Sequence, residues 1–198
     1  MKKESDITNE DLAFEEDLIS NPYSVKSWLR YLDFKKDSPL KSRFLIYERA
    51  ISNLPMSYKL WHTYLIERTS ATLKKPIDHV HYDALNNVYE RSLIYLHKVN
   101  QNLFFYFFWM IQPFFFFFEK KMPVIWREYC TFLWKQKKIT ETRKTFDRAL
   151  KSLPVTQHHK IWELYIPFVK ECGVTETTVR VYRRYLQVFL FLFFKIKN

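Results

Sequence analysis

Apolar side chains recur along this chain at the spacing of an amphipathic helix, and the first clear example starts at Trp28. Trp28, Tyr31 and Leu32 stand at positions i, i+3 and i+4, which places them on one face of a helix, called helix A here. The pair Ser38-Pro39 then predicts the start of a second helix, helix B, with Ser38 as its N-cap and Pro39 in its first turn. The pattern therefore predicts two consecutive helices.

The same two patterns return three more times, which predicts a helical repeat. Each unit begins with Trp-x-x-Tyr and continues with an aromatic residue near the start of a second apolar face. Two aromatic anchors at a period of roughly 33 to 42 residues are typical of a helical-repeat solenoid. The sequence thus predicts an all-α fold, an α-solenoid of helix pairs. The predicted repeat anchors are Trp28, Tyr31, Tyr47, Trp61, Tyr64, Tyr89, Trp126, Tyr129, Phe146, Trp162, Tyr165 and Tyr182.

Prolines mark the ends of helix B in the first and third units, at Pro55 and Pro154. The segment from Phe14 to Pro22 has the same aromatic-to-proline spacing, so it predicts the remaining helix B of a degenerate leading unit. Small residues in helix B predict close crossings with helix A; they are Ala50, Ser92 and Ala149.

Residues 99–121, with the sequence VNQNLFFYFFWMIQPFFFFFEKK, interrupt this repeat. Without them, the distance from Trp61 to Trp126 falls within the range of the other units, and Pro123 directly follows the second helix B as Pro55 follows the first. A membrane-spanning helix requires about 20 apolar residues. The apolar run here, from Leu103 to Phe118, is shorter and contains Pro113, which weakens that interpretation.

Two other interpretations of residues 99–121 are a hydrophobic docking loop and a retained intron translated in frame. A large exposed apolar patch usually marks a partner site or an aggregation hazard. The intron is favoured because valine codons begin with GT, a terminal lysine codon can be AAG, and five consecutive phenylalanines before Glu119 correspond to a pyrimidine tract. The tail 188–198 (VFLFLFFKIKN) also opens with valine and turns Phe-rich.

These features give a predicted domain organisation. Residues 1–13 form an acidic disordered leader, residues 14–98 hold the leading helix and units one and two, and residues 122–187 hold units three and four. Residues 99–121 are the Phe-rich insertion, and residues 188–198 are an aberrant Phe-rich tail.

The composition excludes several classes of site. The single glycine, Gly173, cannot supply the Gly-rich loops that cradle phosphates or dinucleotides, so no cofactor is predicted. The two cysteines, Cys130 and Cys172, are far apart in the sequence and form no CxxC motif. Without a signal peptide, they are expected to be reduced, partly buried thiols in an intracellular protein.

The net charge of +11 predicts binding to polyanions or to acidic protein surfaces. The charge is uneven, because the segment 1–17 carries seven acidic side chains against two lysines and leaves the rest of the chain more basic. Basic clusters contact phosphates in nucleic-acid-binding proteins, although most are solvated helix faces. The candidate polyanion contacts are Lys137, Lys138, Arg143, Lys144, Arg148, Lys151, Arg180, Arg183 and Arg184.

No constellation of residues predicts catalysis or metal binding. None of the six histidines stands in the i, i+4 arrangement with glutamate that a helical zinc site needs, and His79 and His81 fall in a polar connector. The acidic residues Glu48, Glu90 and Asp147 occur once per unit, so they should be spread along the stack and form structural ion pairs or hydrogen bonds. The sequence predicts no enzyme and no small-molecule substrate.

The unit resembles the half-a-TPR (HAT) repeat, which pairs a Trp-x-x-Tyr helix with a Tyr-Glu-Arg-Ala-Leu helix and a proline. The segments 47–51 and 146–150 match this pattern closely, 89–93 matches with serine for alanine, and 182–186 matches poorly. The tetratricopeptide pattern fits less well, since it requires a glycine that is missing here.

Longer strings resemble the N-terminal region of a splicing-factor family, the Syf/XPA-binding-protein family. They are SVKSWLRYLDFK (24–35), YERAISNLPMSYKLWHTYL (47–65), TRKTFDRALKSLPVTQHHKIW (142–162) and VRVYRRYL (179–186). The likeness extends from about residue 14 to residue 187, with the interruption at 99–121. Members of the family carry many more repeats than this chain.

The resemblance implies a nuclear scaffold for protein–protein assembly in pre-mRNA splicing. Its implied partners are spliceosomal proteins of the nineteen complex and the intron-binding complex, and some relatives are tied to transcription-coupled repair. The alternative is a helical-repeat module that binds RNA directly through the basic helices, although no RNA-reading fold with aromatic stacking strands is evident.

Overall fold

The computed structural model describes the backbone of residues 11–107 and 112–197, and the side chains of residues 11–96 and 122–188. Residues 1–10, which make up most of the predicted acidic leader, lie outside the described residues, as do residues 108–111 of the insertion and residue 198. The chain divides into two compact units, Met1–Ile111 and Gln112–Asn198.

Every regular element in the described ranges is helical, so the predicted all-α fold is confirmed. The first unit contains α1 (Leu12–Ser20), α2 (Val25–Phe34), α3 (Leu40–Asn53), α4 (Tyr58–Thr72) and α5 (His81–Phe107). The second unit contains α6 (Gln112–Lys135), α7 (Ile139–Ser152), α8 (His158–Cys172) and α9 (Thr175–Lys197), with a short 3-10 turn at Val155–Gln157.

Consecutive helices pack against each other within each unit, as the repeat predicts. In the first unit α1 packs on α2, α2 on α3, α3 on α4, and α4 on α5. In the second unit α6 packs on α7 and also on α8, while α8 packs on both α7 and α9. The helices α2, α4, α6 and α8 carry the Trp-x-x-Tyr motifs and are the A helices, and α3, α5, α7 and α9 are the B helices that follow them.

A proline, a serine and a tryptophan set the start of the A helices in the first unit. Ser24 caps α2 by accepting a hydrogen bond from the backbone N–H of Ser27, and Ser57 caps α4 in the same way. The indole Nε1 of Trp28 donates to the carbonyl oxygen of Pro22 at 2.8 Å, and the indole of Trp61 donates to Pro55 at the same distance. A Pro-x-Ser segment six residues before the tryptophan therefore fixes both helix entry and indole orientation.

The entry to α8 differs because the spacing between proline and tryptophan is longer. Pro154 stands eight residues before Trp162, and the 3-10 turn occupies the additional length. The N-cap residue Gln157 makes no side-chain cap hydrogen bond. The buried indole nitrogen of Trp162 has no hydrogen-bond partner among the described residues.

Three helix boundaries differ from the sequence-based predictions. Helix α1 starts at Leu12, so ordered structure begins before the predicted end of the leader at Ala13. Ser38 is not the N-cap of α3: Pro39 takes that position, because its ψ of 138° is extended and its carbonyl accepts from the N–H of Arg43. Pro123 lies inside α6 and ends no helix in the intact chain, because helical residues already precede it.

The two A helices of the second unit end with the same left-handed turn, at equal distances after their tryptophans. Lys137 follows Trp126 by eleven positions and has φ 56°, and Gly173 follows Trp162 by eleven positions and has φ 66°. At Lys137 the N–H of Lys138 donates to the carbonyl of Leu133 and the N–H of Lys137 donates to Trp134, the hydrogen bonds of a Schellman motif. The sole glycine of the chain thus stands where a left-handed conformation requires it.

Candidate interaction surface

The predicted aromatic anchors form the cores of the two units. Eleven of the twelve side chains are buried, with exposed fractions of 4% or less, and Tyr182 is half-buried. The small residues Ala50, Ser92 and Ala149 are fully buried, as close crossing of the A and B helices requires. Tyr185, which replaces the small residue in the fourth repeat, is half-buried. The aromatic anchors therefore pack in the cores of the two units.

Within each of the two compact units, charged side chains connect successive repeats through an arrangement of three residues on three helices, called the interhelical clamp here. Its members are an acidic residue on one B helix, the tyrosine of the following A helix, and the arginine of the following B helix. The clamp occurs three times among the described side chains: Glu15 with Tyr31 and Arg49, Glu48 with Tyr64 and Arg91, and Asp147 with Tyr165 and Arg184.

The clamp at Glu48 is the most complete. The hydroxyl of Tyr64 donates to Oε1 of Glu48 at 2.7 Å, and Nη2 of Arg91 donates to Oε2 at 2.7 Å. Arg68 lies 3.8 Å from the same carboxylate and donates to the hydroxyl of Tyr64. Burial alone would raise the pKa of Glu48, but the hydrogen bonds from Arg91 and Tyr64 outweigh it and hold the pKa below its ordinary value.

The clamps at the two ends of the described chain show the same chemistry. Arg49 donates to both oxygens of Glu15, at 2.7 and 2.6 Å, and this bidentate pair lowers the pKa of Glu15. In the second unit, Arg184 donates to Oδ1 of Asp147 at 2.6 Å, and Tyr165 donates to the same oxygen at 3.3 Å. Burial, together with the neighbouring carboxylate, raises the pKa of Tyr165.

Two of the clamp arginines also stack on tryptophan rings. Arg49 lies 5.5 Å from the ring centroid of Trp28, and Arg91 lies 5.7 Å from that of Trp61. Arg148 has the same relation to Trp126, at 5.6 Å. Each guanidinium therefore stacks on the tryptophan of its own repeat. Arg49 and Arg91 also bond to an acidic residue of the preceding repeat.

The sequence predicts Glu48 and Asp147 as structural ion-pair or hydrogen-bond residues, and the clamps confirm this. It did not identify the partners. The available signal was that an acidic residue and an arginine recur side by side in the Tyr-Glu-Arg-Ala motif. The acidic residue contacts the next repeat, and the arginine contacts the previous one.

The candidate polyanion contacts fall into two groups in the structure. Some already have partners: Lys138 pairs with Glu141 at 3.8 Å, Arg180 with Glu176 at 3.0 Å, Arg184 is held by Asp147, and Arg148 stacks on Trp126. The others form no ion pair with any carboxylate that the structure describes; they are Lys137, Arg143, Lys144, Lys151 and Arg183.

The structure brings part of this set together around the Arg184–Asp147 pair. Lys144 and Lys151 stand three residues before and four residues after Asp147, so they share its face of α7 and are exposed. Arg180 stands one turn before Arg184 on α9. The ion pair joins the two faces into one surface, called the basic B-helix face here. Lys137 and Arg143 lie elsewhere, beside the turn between α6 and α7.

The described residues offer no metal site and no membrane-spanning helix. Among the described side chains, at residues 11–96 and 122–188, no cluster of three or more His, Cys, Asp or Glu is placed to hold a metal ion. His79 and His81 contact each other through their Nδ1 atoms at 2.7 Å. None of the helices in these ranges is both long and apolar enough to cross a bilayer.

Comparison with known proteins gives consistent matches over nearly the whole chain. The family model for the pre-mRNA-splicing factor Syf1/CNRKL1 N-terminal HAT repeat matches residues 10–113 and 115–190. The pre-mRNA-splicing factor SYF1 of Dictyostelium discoideum is 49% identical over 180 residues, and that of Homo sapiens is 40% identical over 179. The pre-mRNA-splicing factor cwf3 of Schizosaccharomyces pombe is 40% identical over 192 residues.

These matches cover most of this chain and a small part of each relative. They include 90% of the chain for the Dictyostelium and human proteins and 95% for the fission-yeast protein. They include only 18 to 21% of the relatives, so the chain spans about a fifth of their length.

Proposed function

The chain belongs to the Syf1/CNRKL1 family of N-terminal HAT repeats, and from this premise we propose that it is a non-enzymatic scaffold for protein–protein assembly in the spliceosome. The proposed location is the nucleus. The proposed partners are spliceosomal proteins of the nineteen complex, which the family resemblance implies, and a further role in transcription-coupled repair is part of the same proposal.

The use of the titratable side chains supports a scaffold. The acidic residues and tyrosines with shifted pKa values, including Glu48, Tyr64 and Tyr165, bond to arginines or carboxylates of neighbouring helices. Shifted pKa values at functional sites usually accompany a cleft with an acid or base free to react. Here these side chains form hydrogen bonds and ion pairs between neighbouring helices. Those contacts stabilise a repeat array, and its surface is available to partners.

The scaffold role is tested by affinity capture from nuclear extract with the purified full chain. We expect spliceosomal proteins to be enriched, and their recovery to be unchanged by nuclease treatment, because the contacts are between proteins. An immobilised helical protein of similar size and charge serves as the control. Recovery equal to that control contradicts the scaffold, and recovery that nuclease abolishes favours the alternative.

That alternative is direct RNA binding, and the basic B-helix face is the observation that favours it. Lys144 and Lys151 are exposed, form no ion pair with a described carboxylate, and flank the Arg184–Asp147 pair. Contacts of lysine and arginine with phosphates release counterions, so affinity falls steeply as salt rises.

RNA binding is tested by fluorescence anisotropy with a labelled U-rich oligonucleotide over a series of salt concentrations. A double variant, Lys144→Glu with Lys151→Glu, should lose at least tenfold in affinity and show a shallower salt dependence. Lys26→Glu with Lys59→Glu is the matched control, because both lysines are exposed in the first unit. Equal losses in the two double variants would indicate binding by net charge and not by this face.

A further inference from the structure

Two adjoining cavities lie at the edge of the second unit, beside the turns that end α6 and α8. They have volumes of about 170 and 200 Å³ and share Ile139, Phe168 and Cys172 as lining residues. Trp134 also lines the first cavity, and Val174 also lines the second. Together they form one apolar depression, called the loop-edge groove here.

The left-handed turns explain why apolar residues are exposed at this edge. Lys137 and Gly173 reverse the chain at the ends of α6 and α8, and the next helices start immediately with Ile139 and Val174 nearby. Both side chains are 50% exposed. Covering them with a partner would be favourable, because removing apolar surface from water lowers the free energy.

The charges around the groove are predominantly positive. Glu171 is the carboxylate among the lining residues. On the bordering helices, Glu141 pairs with Lys138 at 3.8 Å and Glu176 pairs with Arg180 at 3.0 Å. Five cations on the bordering segments form no ion pair with a described carboxylate: Lys135, Lys137, Arg143, Lys144 and Lys170. Lys137 and Arg143 line the cavities themselves.

The backbone of α7 adds to this positive character. Ile139 and Thr140, which line the groove, are the first two residues of α7, and the helix has no side-chain N-cap. The N-terminal end of a helix carries a partial positive charge, which favours carboxylates nearby. The groove thus combines an apolar floor with a rim that attracts anionic side chains.

We propose that the loop-edge groove binds an acidic peptide segment of a partner protein, with one apolar side chain of that segment against Ile139 and Phe168 and its carboxylates beside Lys137 and Arg143. The charge complementarity selects an acidic segment, and the apolar floor selects a protein over a nucleic acid. The inference rests on the proposed scaffold function for its biological role, but the binding itself is a property of the purified chain.

The test uses the full chain and a set of labelled synthetic peptides. Each peptide has a single central leucine, isoleucine, methionine, phenylalanine or tryptophan between runs of aspartate and glutamate. Two matched controls replace the central residue with serine or the acidic residues with glutamine and asparagine. We expect at least one acidic peptide to bind tenfold more tightly than both of its controls by fluorescence anisotropy. If none does, the proposal is wrong.

A pair of variants locates the site. Ile139→Glu places a carboxylate in the groove and should weaken binding at least tenfold. Ile66→Glu introduces the same change at a side chain of 49% exposure on α4 and should leave binding unchanged. The circular dichroism spectra of both variants should match that of the native chain, which would show that both remain folded. Equal losses in the two variants would place the peptide elsewhere and overturn the proposal.

Alkylation of cysteine provides an independent readout. Cys172 lines both cavities and is partly exposed, whereas the other cysteine, Cys130, is buried. Bound peptide should slow the reaction of Cys172 with N-ethylmaleimide, measured by peptide mass spectrometry. An unchanged rate at saturating peptide overturns the assignment.

Two further outcomes would replace the proposed occupant. Full displacement of the peptide by a U-rich RNA oligonucleotide would show that the groove accepts polyanions regardless of an apolar residue. Dimerisation of the chain that Ile139→Glu abolishes would show that a second copy occupies it. Failure of these peptide experiments together with capture of spliceosomal proteins would leave the scaffold function intact and remove only the groove.

Discussion

Arg91 donates a hydrogen bond to Glu48 at 2.7 Å. The bond connects the arginine of one Tyr-Glu-Arg motif to the glutamate of the preceding motif. The two residues lie 43 positions apart, on α5 and α3. The same relation holds between Arg49 and Glu15 and between Arg184 and Asp147. A short motif on one helix therefore contains both halves of a connection: its acid reaches forward along the repeat and its arginine reaches back.

We expect Glu48→Gln to lower the free energy of unfolding by about 1 kcal/mol. A charge-assisted hydrogen bond contributes about 1.5–3 kcal/mol when buried, and partial exposure to water reduces that contribution. Urea denaturation followed by circular dichroism measures the change. Glu16→Gln is the matched control, because this substitution makes the same change of charge at an exposed position of α1. Equal effects of the two substitutions would show that the Glu48 clamp adds nothing to stability.

The clamps also predict a loss of stability in acid. The hydrogen bonds that hold the pKa of Glu15 and Glu48 below 4.5 stabilise the fold fully above that value. This stabilisation disappears as the pH falls through the lower pKa values of the folded protein. The difference in urea midpoint between the native chain and Glu48→Gln should therefore be full at pH 7 and shrink steadily below about pH 4.5. A difference that is constant from pH 7 to pH 3 would contradict the assignment.

Substitution of tryptophan by phenylalanine should reduce stability by different amounts in the two units. Trp61→Phe removes the hydrogen bond from Nε1 to the carbonyl of Pro55, whereas Trp162→Phe removes an indole N–H that has no described partner. A typical hydrogen bond contributes about 1 kcal/mol, so Trp61→Phe should cost about that much more than Trp162→Phe. The two chemical changes are identical, which makes each variant the control of the other. Thermal unfolding or urea titration of both variants decides the question.

The left-handed turns predict opposite effects of two substitutions in equivalent positions. A side chain costs about 1–2 kcal/mol in this conformation, and glycine does not carry that cost. Lys137→Gly should therefore stabilise the chain by about 0.5 kcal/mol after the extra flexibility of the unfolded glycine is subtracted. Gly173→Ala should destabilise it by about 1 kcal/mol through the backbone alone, since nothing lies within 4 Å of the added Cβ. Lys137→Ala, which keeps the left-handed Cβ, should show no gain.

The sequence was sufficient to predict the repeat because its anchors are large and regularly spaced. Trp28, Tyr64 and Phe146 occupy buried positions whose identity depends on local helix periodicity and on packing between neighbours. The all-α fold follows from that regularity.

The clamps and the loop-edge groove could not be predicted in the same way. Whether Arg184 is free for a polyanion or bound to Asp147 depends on a contact between residues 37 positions apart. The groove depends on two left-handed turns, and Lys137 adopts that conformation although lysine carries no local signal for it. Three-dimensional proximity, not periodicity, determines these features.

Residues 99–121 give the last prediction. Helix α5 continues to Phe107 and α6 begins at Gln112, so Pro123 stands inside a helix, unlike Pro55 and Pro154, which follow one. Removing the segment would bring the Trp-to-Trp distance back into the range of the other units and place Pro123 after the second helix B. We therefore expect the principal mature transcript to lack the codons of this segment, which sequencing of the cDNA establishes.

The protein without residues 99–121 should also fold and be more soluble than the intact chain. Because those residues are rich in phenylalanine and interrupt the spacing of the Trp-x-x-Tyr motifs, we expect their deletion to keep the helical circular dichroism signal per residue and to raise solubility. Deletion of residues 58–80, a segment of equal length that contains the Trp61 anchor, is the matched control and should unfold the first unit. A transcript that retains the segment at normal abundance, together with a deletion variant that fails to fold, would show that the insertion is a structural part of the protein.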